Sequence, residues 1–135
     1  DSLTDCCNYA FNENGDADYL TISFGSVTTQ SMEILIDTPH NLLGFQFEIL
    51  GTNLENASGG IAEENGFIVS VGGTTVIGFS FSGDIIPAGS NGVLTTVAYT
   101  AIADEACLDL GEGAFPDENN NPVSVRFGSC DCHEF

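Results

Sequence analysis

The stretch MEILIDTPHNLLGFQFEI, residues 32–49, contains the pattern that decides the fold. Its first part alternates Met32, Ile34 and Ile36 with polar or acidic residues, and its second part alternates Phe45, Phe47 and Ile49 with Gln and Glu. Successive side chains of a β-strand point to opposite faces of a sheet, so each part predicts a half-buried strand. The Pro-His-Asn sequence between them predicts a turn.

The same alternation recurs on both sides of this stretch, in residues 20–27, 67–71, 75–81, 93–101, 108–110 and 123–127. Gly72 and Gly73 separate two of these runs and favour a tight hairpin. The last two runs predict an antiparallel pair of strands. Residues 59–66 fit a loop or one helical turn, and no run shows a convincing helical stripe. About eight short strands separated by turn residues predict an all-β fold, an antiparallel sandwich or jelly roll.

The length of 135 residues suits one domain. We expect an N-terminal extension over residues 1–18, a sandwich over 19–127 and a cysteine-containing C-terminal tail over 128–135. The sequence begins at Asp1 without Met, which we interpret as the result of signal-peptide removal and hence of secretion to the cell surface or medium. Without a run of roughly 18 apolar residues, direct membrane insertion is not expected.

The charge balance narrows the classes of partner. Twenty Asp and Glu residues stand against one basic residue, Arg126, and the formal net charge is −19. Nucleic acids and anionic membranes both require Lys or Arg to neutralise phosphates, so neither is an expected partner. An acidic surface attracts divalent cations or a basic protein patch, and it also keeps a protein soluble in salt.

The cysteines predict an oxidising compartment and a disulfide framework. Adjacent cysteines, or cysteines one residue apart along a strand, do not reach normal disulfide geometry, so neither terminal pair is expected to close on itself. The hairpin predicted from the last two strands pairs Cys107 with Cys130. An odd count leaves one thiol over for an intermolecular bond or a free reactive group. Ligand spacing argues against a zinc site. The five cysteines are Cys6, Cys7, Cys107, Cys130 and Cys132.

Calcium is the ligand best suited to two oxygen-rich clusters, because it prefers carboxylate and amide oxygens. An ordinary solvated turn is the simpler interpretation for each cluster. Their candidate ligands are Asn12, Asn14, Asp16 and Asp18 in the first, and Asp117 and Asn119 in the second. A separate motif, Asn56-Ala57-Ser58, fits a glycosylation sequon, which we expect on an exposed loop.

Catalytic patterns are weak. The histidines are His40, beside a turn proline, and His133, in the tail, and neither has the neighbours of a catalytic triad. The sequence GFSFSG at residues 78–83 lacks the glycine spacing of a nucleophile elbow. The absence of Lys excludes a phosphate-binding loop that depends on Lys. We therefore expect a protein that is not an enzyme.

The order of these segments resembles the cohesin family of bacterial scaffold and cell-surface proteins, together with the cohesin-like modules of secreted adhesins. The resemblance is carried by residues 20–27, 32–49, 79–101 and 115–125, and it spans about 110 residues of the chain. It implies a β-sandwich module of an extracellular scaffold. The terminal cysteines are not part of the resemblance.

Two function classes follow from these observations. The first is a structural subunit of a fibre or scaffold that assembles with itself or with another surface protein. The apolar residues Leu3, Tyr9 and Phe11 of the extension need a surface to bury them. Adding a strand to the edge of a neighbouring sheet would supply one, and folding back onto the extension's own domain is the alternative. The alternative is a secreted recognition module, adhesin-like, that binds protein or carbohydrate. Without Trp, the sequence lacks the aromatic platform typical of carbohydrate binding.

Overall fold

The computed structural model describes residues 19–127 and 132–134. Ten strands and one short helix, α1, occur within these residues. The elements are, in chain order, β1 Leu20–Val27, β2 Ser31–Asp37, β3 Phe45–Leu50, β4 Thr52–Ser58, α1 Gly60–Glu64, β5 Ile68–Gly72, β6 Thr75–Phe79, β7 Asn91–Ala101, β8 Glu105–Asp109, β9 Val125–Phe127 and β10 Cys132–Glu134.

The strands form two five-stranded sheets. The first sheet has the order β4-β7-β2-β1-β9 and the second the order β10-β8-β3-β6-β5. All pairs are antiparallel except β1 with β9, which is parallel. The prediction of an all-β sandwich is confirmed. The core lies between the two sheets and contains the alternating apolar residues of the opening stretch, all of them buried: Met32, Ile34, Ile36, Phe45, Phe47 and Ile49.

Four phenylalanines occupy one part of this core. The rings of Phe45, Phe47 and Phe115 lie about 6 Å apart in centroid distance, and Phe45 also stacks on Phe67 at 6.3 Å. Burying a Phe side chain contributes roughly 1.5–3 kcal/mol, so this group is a large contribution to folding. Gly78 in β6 lies against the Phe45 ring, where any Cβ atom would overlap it. Gly78 is therefore required for close packing of the core.

The predicted hairpin at Gly72 and Gly73 is confirmed. Strands β5 and β6 pair in antiparallel register from Ile68 opposite Phe79 to Gly72 opposite Thr75. Gly73 has a φ of 59°, a left-handed conformation that favours glycine at this turn. The second strand ends at Phe79 rather than residue 81, because Ser80 starts a turn.

Strand β4 was not predicted. Its sequence, TNLENAS, is polar apart from Leu54, which is buried, and the small, partly buried Ala57. Gly51, with a φ of 84°, lets the chain pass from β3 in the second sheet to β4 in the first. A polar strand with one anchoring side chain is typical of a sheet edge, and it gives little periodicity to detect.

The predicted antiparallel pairing of the strands around Leu108 and Val125 is wrong. Strand β8 pairs with β3 and β10 in the second sheet, whereas β9 pairs in parallel with β1 in the first. The periodicity of the sequence identifies both strands correctly, but it does not show to which sheet each strand belongs. Part of the predicted C-terminal tail, residues 132–134, forms the edge strand β10.

The short helix α1 corresponds to the residues expected to form a loop or one helical turn, and its Ala62 is buried. Asn41 joins loops at one end of the sandwich: its Oδ1 accepts from the amide of Ala88 and its Nδ2 donates to Glu118. No helix among the described residues is long and apolar enough to span a bilayer.

Candidate functional site

A disulfide joins Cys107 of β8 to Cys132 of β10. The predicted pairing of Cys107 with Cys130 is therefore wrong. In the antiparallel register of β8 and β10, Cys132 lies directly opposite Cys107. Cys130 and Cys132 are two residues apart, so the alternation of a strand predicts the same face for both and does not distinguish them. The register of β8 and β10 determines which cysteine lies opposite Cys107.

Glu105 lies close to this disulfide, with its carboxylate 3.7 Å from Cys107 Sγ. Glu105, Cys107 and Cys132 are near enough to one another to suggest a metal site. Both sulfur atoms are bonded to each other, however, and a zinc ligand must be a free thiolate. This group is therefore a structural link between two strands.

Asp117 organises the turn in which the second predicted calcium cluster lies. Its Oδ1 accepts hydrogen bonds from the backbone amides of Asn119 and Asn121, each at 2.9 Å. Asn120 has a φ of 66°, a left-handed conformation that Asn tolerates in turns. One oxygen of Asp117 thus holds the turn, and calcium binding here stays a prediction.

The remaining predicted residues fall into two groups. Asn56 is exposed, but it lies in edge strand β4, so the prediction that the sequon is in a loop is wrong. The others lie outside the described residues: Cys6, Cys7 and Cys130, the apolar Leu3, Tyr9 and Phe11, and the first calcium cluster, Asn12, Asn14, Asp16 and Asp18.

The weak catalytic motif has a structural role. The Ser80 hydroxyl donates to Asp84 at 2.7 Å and accepts from the amides of Ser82 and Asp84. These bonds close the turn after β6. The histidines lie on separate elements, His40 between β2 and β3, and His133 in β10 against the Phe24 ring at 5.9 Å.

The outer face of the second sheet exposes a group of large apolar side chains. Ile77 of β6 is 37% exposed and Ile68 of β5 is 46% exposed, although both lie in well-paired strands. Phe81, in the turn after β6, is 85% exposed and packs edge-on against Phe79, with centroids 5.1 Å apart. We call Ile68, Ile77, Phe79 and Phe81 the apolar half of this face.

Carboxylates occupy the other half of the same face. Glu48 of β3 lies directly opposite Asp109 of β8, and Glu105 of β8 lies directly opposite Glu134 of β10. The Cys107–Cys132 disulfide lies between these two like-charged pairs, in one row with Leu50 of β3, which is opposite Cys107 and 39% exposed. We call Glu48, Asp109, Glu105 and Glu134 the acidic half.

The outer face of the first sheet is different in character. Its larger apolar pair, Leu35 opposite Val93, is half-buried, and none of the five large apolar residues that are exposed in the described chain lies on it. Most of the side chains on this face are small or polar: Thr21, Ser23, Ser31, Glu33, Asn53, Asn56, Ser58, Thr96, Ala98 and Thr100. The candidate functional site is therefore the outer face of the second sheet.

Sequence reasoning missed this face because alternation was used only to find the core. In β3, the residues that alternate with the buried apolar ones begin with Gln46 and Glu48, as expected for a solvated face, and end with the exposed Leu50. In β5 and β6, by contrast, residues of both parities are apolar. The apolar residues on both faces of β5 and β6 were the sequence signal that could have revealed this face.

Solved structures of cohesins share this fold. A non-cellulosomal cohesin from the archaeon Archaeoglobus fulgidus is 18% identical, with a TM-score of 0.54 over 81% of this chain and 86% of that one. A type I cohesin–dockerin complex from Clostridium thermocellum gives 16% identity and a TM-score of 0.57 over 86% and 94%. The sixth cohesin of scaffoldin B from Acetivibrio cellulolyticus, in complex with a Cel5 dockerin, gives 12% identity and 0.55 over 81% and 94%.

The sequence matches no protein-family model and no curated protein. At these identities the structural likeness establishes the fold, and the chain has a cohesin-like β-sandwich, as the resemblance in its sequence implied.

Proposed function

We propose that this cohesin-like chain is a non-enzymatic protein-binding module of an extracellular scaffold, and that it binds its partner through the outer face of the second sheet. One observation carries the proposal: three of the five large apolar side chains that are exposed in the described residues lie on or beside strands β5 and β6 of that sheet, and a fourth, Leu50 of β3, lies on the same face. Exposed apolar patches with polar surroundings are typical of protein-interaction sites.

The comparisons support a protein partner over a carbohydrate. Two of the similar cohesins were solved in complex with dockerins. A dockerin-type partner on a neighbouring protein is accordingly the class of ligand that we propose for this chain, and a cell-surface or secreted location follows from that role. The disulfide fits such an oxidising location.

Site-specific cross-linking tests the proposal. A photoreactive amino acid at Ile77, on the outer face of the second sheet, is compared with one at Thr96, on the outer face of the first. The full chain is incubated with extracellular proteins of the source cells, and the cross-linked protein is identified and purified.

We expect one protein to be cross-linked from position 77 and not from position 96, and its purified form to bind the wild type but not Ile77→Glu. Cross-linking from position 96 alone, or binding unchanged by Ile77→Glu, would overturn the assignment of the face.

Self-assembly into a fibre is the second candidate, and it rests on Leu3, Tyr9 and Phe11 of the extension. The comparisons favour the recognition module over the fibre subunit. Sedimentation of the full chain and of a chain lacking residues 1–11 separates the two. A polymer that becomes monomeric on deletion supports the fibre, whereas a full-length chain that is already monomeric with and without reductant refutes it.

A further inference from the structure

The outer face of the second sheet has two chemically distinct halves in a fixed order, and we infer that its partner is a protein whose contact segment is apolar at one end and carries Lys or Arg at the other. This inference rests on the proposed function of the face. The apolar end would lie over β5 and β6, and the basic end over β8 and β10.

The position of the apolar half is set by the strand pairing. Ile77 of β6 has Ser70 of β5 on one side and Gln46 of β3 on the other, while Ile68 lies opposite Phe79. Phe81 extends this apolar half beyond the end of β6. A ring that is 85% exposed contributes little to the fold, but a partner that covers it gains most of its apolar area.

Like charges in the acidic half are expected to oppose folding, although the Glu48 carboxylate accepts a hydrogen bond from the Thr74 hydroxyl. Like charges directly opposite each other across two strands are destabilising, and this half has two such pairs, Glu48 with Asp109 and Glu105 with Glu134. The nearby Arg126 does not relieve them, since its strand β9 lies in the other sheet and its guanidinium lies 5.7 Å from the Tyr19 ring. A basic segment laid across β8 would relieve both pairs at once.

The charge of the acidic half also argues against a second copy of this chain as the partner. A second copy of this chain carries a net charge of −19 and a single Arg, so it cannot supply the basic end. Complementary charge on the partner gives orientation and a fast association rate, while the apolar half supplies contact area. The face therefore specifies the direction of its ligand as well as its class.

Three synthetic helical peptides serve as probes. The first has Leu on one face of its first half and Lys on the same face of its second half. The second replaces each Lys by Glu, and the third replaces each Leu by Ser. Binding to the full ¹⁵N-labelled chain is followed by amide shifts. We expect the Leu–Lys peptide to bind the outer face of the second sheet at least tenfold more tightly than either matched peptide, with affinity that falls as salt is raised.

Generic attraction to an acidic protein is controlled by two variants of equal net charge. One neutralises the acidic half with Glu48→Gln, Glu105→Gln, Asp109→Asn and Glu134→Gln. The control removes four acids from elsewhere with Glu33→Gln, Asp37→Asn, Glu55→Gln and Glu63→Gln. We expect only the first variant to weaken the Leu–Lys peptide by about tenfold or more, and to raise the unfolding temperature by removing the two repulsive pairs.

Equal loss in both variants would show non-specific attraction and overturn the inference, as would equal binding of the Glu peptide. Either result leaves the proposed function intact if the cross-linked protein still depends on Ile77. Loss of that dependence refutes the proposed function itself, so the two failures are distinguishable.

Discussion

The two sheets of this sandwich bury similar faces and expose different ones. The first exposes mainly Ser, Thr and Asn side chains, whereas the second exposes an apolar half and an acidic half side by side. Both inner faces are predominantly apolar because the core requires it, and the buried Thr52 and Thr95 of the first sheet donate their hydroxyls to backbone carbonyls. The outer faces are under no such requirement, so their difference supports the proposal that the second sheet carries the binding surface.

The largest effect is expected on the inner side of the second sheet. Phe47 in β3 is completely buried among other phenylalanine rings. Phe47→Ala removes this packing and leaves a cavity, so we expect a loss of about 3–5 kcal/mol in the free energy of unfolding, measured by urea denaturation. A loss below about 1 kcal/mol would contradict the described core.

The disulfide adds a covalent contribution to the second sheet that the described part of the first sheet lacks. Its cysteines are separated by 25 residues, and closing a loop of that length stabilises by about 3 kcal/mol. We expect Cys107→Ser and Cys132→Ser to lower stability by similar amounts, and Cys130→Ser to retain the 107–132 linkage in non-reducing peptide maps. A map that links Cys107 to Cys130 would reverse this assignment.

The turn at Asp117 tests the calcium prediction. Asp117→Ala removes the acceptor of two backbone amides, and we expect a loss of about 1–2 kcal/mol. Calcium should raise the midpoint of thermal unfolding of the wild type by binding only the folded chain. Magnesium at the same ionic strength is the control, and equal shifts from the two ions would reduce the effect to screening.

A smaller effect is expected at Tyr99 in β7 of the first sheet. Its hydroxyl donates to the Thr28 carbonyl at 2.6 Å, and burial raises the pKa of Tyr99 above its ordinary value of 10.0. The folded chain keeps this proton where the unfolded chain loses it. The stabilisation is therefore complete below pH 10 and is lost as the pH rises through the raised pKa.

Tyr99→Phe should cost about 1 kcal/mol at neutral pH and make the alkaline decline in stability less steep. Urea denaturation between neutral and alkaline pH measures both effects. If the free energy of unfolding of Tyr99→Phe declines with alkaline pH as steeply as that of the wild type, groups other than Tyr99 cause the decline.

The smallest change in stability is expected on the outer faces. Ile77→Ser and Thr96→Ala each remove an outward side chain, and we expect each to change the free energy of unfolding by no more than about 0.5 kcal/mol. Only Ile77→Ser should weaken partner binding. A large loss of stability in Ile77→Ser would mean that the apolar half belongs to the fold, and the contrast between the two sheets would fail.

The fold could be predicted from the sequence because its core positions alternate strictly, as in Met32, Ile34 and Ile36. Strand β4 could not, since Leu54 alone among its residues is apolar and buried deeply. The pairing of Cys107 depended on register, which alternation leaves undetermined for cysteines two residues apart. The proposed binding face was missed because alternation was used only to find the core, although β5 and β6 have apolar residues on both of their faces.

The link between Cys107 and Cys132 makes a closed ring of the chain from residue 107 to residue 132, and this ring contains strands of both sheets, β8, β9 and β10. The sequence has one site for a protease that cuts after Lys or Arg, at Arg126, and that site lies within the ring. Cleavage there would open the backbone without releasing a fragment. The product would keep its full mass plus one water until reduction set the C-terminal peptide free, so cleavage at this site would nick the chain without separating its two parts.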